Sequence, residues 1–225
     1  FLLVESLPSE WTAAGIGSAL AGETGSSDGR IVVRGSGNNL STTSDSLQFV
    51  HQPMIDSGKI IARLNSFEAD SIVAKAGVMI RASTSANAPF AMVHWLTQGR
   101  VEFYWRNSSG VNGSYVWATV PTTFPPLLRL VRTGNVITAS FSTNGTTWTQ
   151  VGLPQTIDLP SSALAGLAVT SNDTSNTSEA VFSNVSFSSD RDGDGLSDDF
   201  ETDTGLFVSA TDAGTNPDNP DTDGD

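Results

Sequence analysis

Residues 127–151 read LLRLVRTGNVITASFSTNGTTWTQV. Two apolar runs, Leu127–Thr133 and Val136–Ser142, flank Thr133-Gly134-Asn135. A two-strand hairpin follows, because glycine and asparagine accept the positive φ that a tight turn demands. Asn144-Gly145 repeats the signal and predicts a return through Trp148–Val151. Nothing here has apolar residues at i, i+3, i+4 and i+7, so a helix is excluded.

The same grammar extends outward. Short runs rich in Val, Ile, Phe and Trp sit between Gly, Ser, Asn and Pro clusters. They predict strands at Ile31–Arg34, Leu47–His51, Lys59–Leu64, Gly77–Ala82, Ala91–Thr97, Val101–Arg106, Tyr115–Thr119, Leu164–Thr170 and Ala180–Phe187. Alternation is clear at 101–106: Val101, Phe103 and Trp105 share one face, Glu102, Tyr104 and Arg106 the other. About a dozen strands without helices predict an all-β fold of two packed antiparallel sheets over residues 1–189. Residues 190–225 form a C-terminal acidic extension.

Charge separates the two parts. Residues 1–189 hold 12 acidic and 10 basic side chains; residues 190–225 hold 12 acidic side chains and only Arg191. A solvated acidic tail is the simplest reading of such a composition. The spacing argues otherwise. From Asp190 the chain reads DRDGDGLSDDFE, placing Asp190, Asp192, Asp194, Leu196, Asp198 and Glu201 at loop positions 1, 3, 5, 7, 9 and 12. Alternate carboxylates on a tight loop converge on one ion, glycine at position 6 allows the turn, and a glutamate at 12 closes the oxygen shell. Ca2+ is the expected cofactor. The incoming segment is a strand, so this is not a helix-pair sensor. A second loop begins with Asp221, Asp223 and Asp225 and breaks off. Either the chain continues beyond Asp225 or another subunit supplies the remaining oxygens.

Several functions are disfavoured. There are no cysteines and only His51 and His94, which argues against zinc. No basic patch suits nucleic acid, and no apolar run approaches a membrane span. Paired strand-borne carboxylates of a glycosidase are not evident, so no catalytic residue is assigned and the chain is not expected to be an enzyme. A carbohydrate platform needs an exposed ring with polar neighbours. His94, Glu102, Tyr104 and Arg106 are the candidates, with Tyr104 as ordinary surface the competing reading. Seven N-x-S/T sequons, at Asn39, Asn107, Asn112, Asn144, Asn172, Asn176 and Asn184, are candidate glycosylation sites. The chain opens at Phe1, not Met, as a mature, excised or incomplete product would. Its first residues, Phe1-Leu2-Leu3-Val4, could add to a neighbour's sheet, giving head-to-tail assembly with copies of itself.

The segments Val33-Arg34-Gly35-Ser36-Gly37, Ala74-Lys75-Ala76-Gly77-Val78-Met79-Ile80-Arg81, Leu130-Val131-Arg132-Thr133-Gly134 and Gly166-Leu167-Ala168-Val169-Thr170-Ser171 together resemble a known family. It is the concanavalin A-like jelly-roll module of large secreted bacterial proteins, some labelled "regulation of enolase" domains. The tail resembles thrombospondin type-3-like calcium repeats. The resemblance implies an extracellular jelly-roll sandwich with an adhesive or carbohydrate-binding role, the adhesive unit of a surface array being the leading expectation. Its implied partners are neighbouring domains, copies of the chain, or polysaccharide.

Overall fold

The computed structural model describes residues 5–96, 99–120 and 126–220. Two antiparallel sheets pack face to face. The first runs, in spatial order, β1 (Thr12–Ile16), β4 (Leu47–Ile55), β14 (Ser162–Thr170), β6 (Lys75–Arg81), β7 (Phe90–Leu96), β8 (Arg100–Arg106) and β9 (Ser114–Thr119). The second runs β12 (Thr149–Gln150), β11 (Val136–Ser142), β10 (Leu127–Thr133), β5 (Ser57–Glu68), β15 (Asp173–Asp190), β3 (Arg30–Gly37) and β2 (Glu23–Ser27), with β13 (Gln155–Thr156) also on β11. This is the two-sheet antiparallel sandwich expected from the hairpin grammar, with the jelly-roll form that the family resemblance implies.

The opening hairpin forms in the expected register. Thr133 faces Val136, and Gly134 takes a φ of +57° in the turn. Leu128, Leu130, Ile137, Ala139 and Phe141 point into the core between the sheets. Val101 and Phe103 join them from β8, with Trp105 packed alongside. Burying a side chain such as Phe103 contributes about 1.5–3 kcal/mol.

Strands β1 and β2 fall where no strand was expected. Their sequences, TAAGI and ETGSS, carry little β propensity. Both are edge strands recruited by neighbours: β1 pairs with β4 from Thr12↔His51 to Ile16↔Leu47, and β2 pairs with β3. Backbone pairing, not side-chain preference, makes them strands. β15 also runs longer than the expected Ala180–Phe187, delivering Asp190 directly from a sheet. Among the described residues no helix is long and apolar enough to cross a membrane.

Candidate functional site

The outer face of the first sheet carries a second buried cluster. Phe49, Met79, Phe90, Met92 and Tyr104 are covered by Leu40 from the loop between β3 and β4. A buried ion triad holds that loop down. Arg106 grips Asp45 with two hydrogen bonds, Nη1 to Oδ2 and Nη2 to Oδ1, each 2.7 Å. Arg81 Nη1 donates to Asp45 Oδ2 at 3.2 Å. Both guanidiniums also donate to loop carbonyls: Arg81 to Ser83 and Ser85, Arg106 to Thr42, Ala88 and Val111. Three loops are thereby fastened to one end of the sheet.

This placement corrects the expectation for Tyr104. Glu102, Tyr104 and Arg106 do share a face, but Tyr104 is only 4 % exposed and Arg106 is fully buried. Tyr104 is neither an open sugar platform nor ordinary surface. Leu40 shares its cluster, and Tyr115 stacks on its ring with centroids 4.7 Å apart. Arg106 is a clamp for Asp45. His94 and Glu102 are buried too, with His94 Nε2 3.4 Å from Glu102 Oε2. Burial lowers the His94 pKa. Burial also raises the Glu102 carboxyl, yet His94, Lys75 and Arg100 outweigh it and leave it below its ordinary value. Lys75, buried beside them, is pushed down to about 8, burial outweighing the attraction of Glu102.

The exposed rings lie one strand further out. Tyr115 and Trp117 on edge strand β9 are each 52 % exposed, opposite Tyr104 and Glu102 in register. The Arg100 guanidinium sits 4.6 Å from the Trp117 ring centre. The sequence candidates centred on β8 missed them, although the pairing of Tyr115 and Trp117 at i and i+2 already marks a shared face.

At the end of β15 the chain brings together three of the expected carboxylates, without Asp198 or Glu201. Carboxylate atoms of Asp190, Asp192 and Asp194 all lie within 4.8 Å of one another. Asp190 accepts from the Gly193 and Gly195 N–H groups, and Asp194 from Leu196 N–H. Gly195 takes a φ of +100°, which favours glycine at the sixth position. A short 3-10 turn, Asp198–Phe200, then presents Glu201. Glu201 is 5 % exposed, and neither of its oxygens has a well-formed hydrogen-bond partner. Asp192 Oδ2 is also buried and unpartnered. Burial raises the Glu201 carboxyl, Thr215 partly offsets this, and Asp192, Asp194 and Asp198 raise it further. Asp198 is engaged elsewhere: it accepts the Arg191 N–H at 2.7 Å, and its Oδ2 lies 3.6 Å from Arg191 Nε. The half loop Asp221, Asp223 and Asp225 lies outside the described residues, as does Phe1–Val4.

The sequon asparagines are scattered. Asn107, Asn112, Asn144, Asn176 and Asn184 are exposed, whereas Asn39 and Asn172 are half-buried. Several already serve the fold: Asn107 donates to the Thr156 carbonyl, and Asn144 accepts from the Thr146 and Thr147 N–H groups.

No family model and no curated protein matches the chain. Solved structures match its fold. A functionally unknown protein from Saccharomyces cerevisiae aligns at a TM-score of 0.62 and 13% identity, over 80% of this chain and 96% of that one. Bacteroides ovatus xyloglucan PUL GH43B gives 0.55 at 14% identity, over 81% of this chain but only 37% of that one. The carbohydrate binding module CBM66 from Bacillus subtilis gives 0.50 at 13% identity, over 82% and 96%. At these identities the likeness shows the jelly-roll fold alone.

Proposed function

We propose that this chain is an extracellular carbohydrate-binding module whose C-terminal loop holds a calcium ion. The observation that carries the binding reading is the pair of exposed rings on β9. Tyr115 and Trp117 offer flat apolar faces on one side of an edge strand, with the Arg100 guanidinium beside Trp117 for hydroxyl groups. The carbohydrate binding module from Bacillus subtilis, with a similar fold at full length, supports the same direction. No catalytic role is assigned. Isothermal titration with xylotetraose, cellotetraose and mannotetraose tests the reading. At least one sugar is expected to bind, and Trp117→Ala is expected to weaken it at least tenfold while leaving the melting temperature nearly unchanged. Equal binding by Trp117→Ala and Tyr115→Ala would remove β9 from the account.

The calcium reading rests on Glu201. A buried carboxylate with only Thr215 near its oxygens, and no well-formed hydrogen bond, is disfavoured unless a cation approaches it. Asp190, Asp192, Asp194, Glu201 and the Leu196 carbonyl would hold the ion, and Asp198 would join them only by leaving Arg191. The ion supplies charge neutralisation and a rigid centre at the exit of β15. This favours a second reading, in which the chain is a structural or adhesive unit with calcium stiffening its junction to a neighbour, as in the thrombospondin type-3-like repeats that the tail resembles. Sedimentation in 2 mM calcium separates the two readings: a strictly monomeric chain argues against self-assembly through Phe1–Val4 and the Asp221–Asp225 half loop.

A further inference from the structure

A cleft of about 610 Å³ opens between the sandwich and the acidic loop. Glu10 and Trp11, just before β1, form one wall, and Gln52 of β4 with Phe187 of β15 forms the floor. The opposite wall is the loop itself, through Arg191 and Asp199. The volume lies within the range of small-molecule sites. Trp11 is half-buried and packs on the core, so its indole is held in place. Glu10 and Asp199 are exposed and, among the described residues, make no ion pair. Arg191 is committed to Asp198 and Asp218.

We propose that this cleft is a second saccharide site, for a neutral sugar, and that it forms fully only when calcium orders the loop. The indole suits the apolar face of a pyranose. Glu10, Gln52 and Asp199 offer acceptors and an amide for its hydroxyls. Two free carboxylates repel an acidic sugar, which fixes the ligand class as neutral. The calcium dependence follows from the construction of the wall. Arg191 and Asp199 stand at the second and tenth positions of the loop, so whatever orders the loop positions them. Binding at the two places is then linked, and a sugar that tightens under calcium must tighten calcium by the same factor.

The proposal rests on the calcium reading of the loop and is independent of the β9 rings. Indole signals of the ¹⁵N-labelled chain, with its five tryptophans, follow titration with xylotetraose, cellotetraose and mannotetraose in 2 mM calcium and again in EDTA. A saturable shift of the Trp11 signal in calcium is expected, weakened at least tenfold in EDTA and in Gln52→Ala, and retained in Trp117→Ala. No Trp11 shift with any of the sugars, or an equal shift in EDTA, would overturn it. So would saturable binding of Nα-acetyl-lysine amide in place of the sugars, since that marks a cation site. Calcium titration of the same sample is read separately: if calcium itself does not bind, the calcium reading fails, whereas calcium binding without a linked sugar shift sinks only the cleft.

Discussion

Asp45 and Glu201 are both buried carboxylates, and the chain treats them in opposite ways. Asp45 receives two arginines at 2.7–3.2 Å and is fully neutralised beneath the loop on the outer face of the first sheet. Glu201 is also buried, yet its oxygens have no well-formed hydrogen bond, and Asp192, Asp194 and Asp198 press on it. The sandwich brings its own cations to its anions, as its near balance of 12 acidic and 10 basic groups allows. The tail, with Arg191 alone against 12 carboxylates, cannot. What the difference teaches is where the chain leaves a buried negative charge without a cation of its own. A buried negative charge answered within the chain is architecture; one left unanswered points to a ligand.

The comparison breaks most sharply at Asp45. Replacing it with alanine leaves Arg81 and Arg106 buried without a counter-charge and frees the Leu40 loop. A loss of about 3–5 kcal/mol is expected by urea unfolding, the same with or without calcium. A loss below about 1 kcal/mol would mean that the loop is held by its carbonyl contacts alone.

A smaller effect sharpens the sandwich side of the contrast. Lys75 is buried without a carboxylate in direct contact, and its pKa falls from 10.5 to about 8. Above pH 8 the folded lysine sheds its proton while the unfolded one keeps it, so the unfolded state binds more protons and stability rises with pH. Between pH 8 and about 9.5 the gain is about 1–2 kcal/mol, relative to Lys75→Met, which lacks it. Parallel stability curves for the two proteins would show that Lys75 is effectively solvated. The window stops short of the range where Tyr104 matters, because burial raises that phenol.

The fold was largely legible in the sequence because its strongest signals are local. Gly134-Asn135 and the alternation at 101–106 report turns and faces without knowledge of distant contacts. β1 and β2 were not legible, since TAAGI and ETGSS become strands only by pairing with β4 and β3. The aspartate cluster could be read for a similar reason: Asp190, Asp192 and Asp194 lie within one short stretch. The Tyr104 candidate failed because exposure on a strand depends on what the rest of the chain lays over it. Leu40 and Asp45 come from a loop some sixty residues away, and nothing in the 101–106 pattern announces them. The same holds for the cleft at Trp11, whose walls come from three separate parts of the chain.

Calcium titration by calorimetry on the intact chain and on Glu201→Gln tests the contrast most directly. The account predicts a site in the range of about 10⁻⁴–10⁻³ M, as for extracellular calcium modules, weakened at least tenfold by the substitution while the sandwich melts as before. Absence of calcium binding, or equal affinity in Glu201→Gln, would contradict the claim that the carboxylates of the tail loop form a cation site with Glu201.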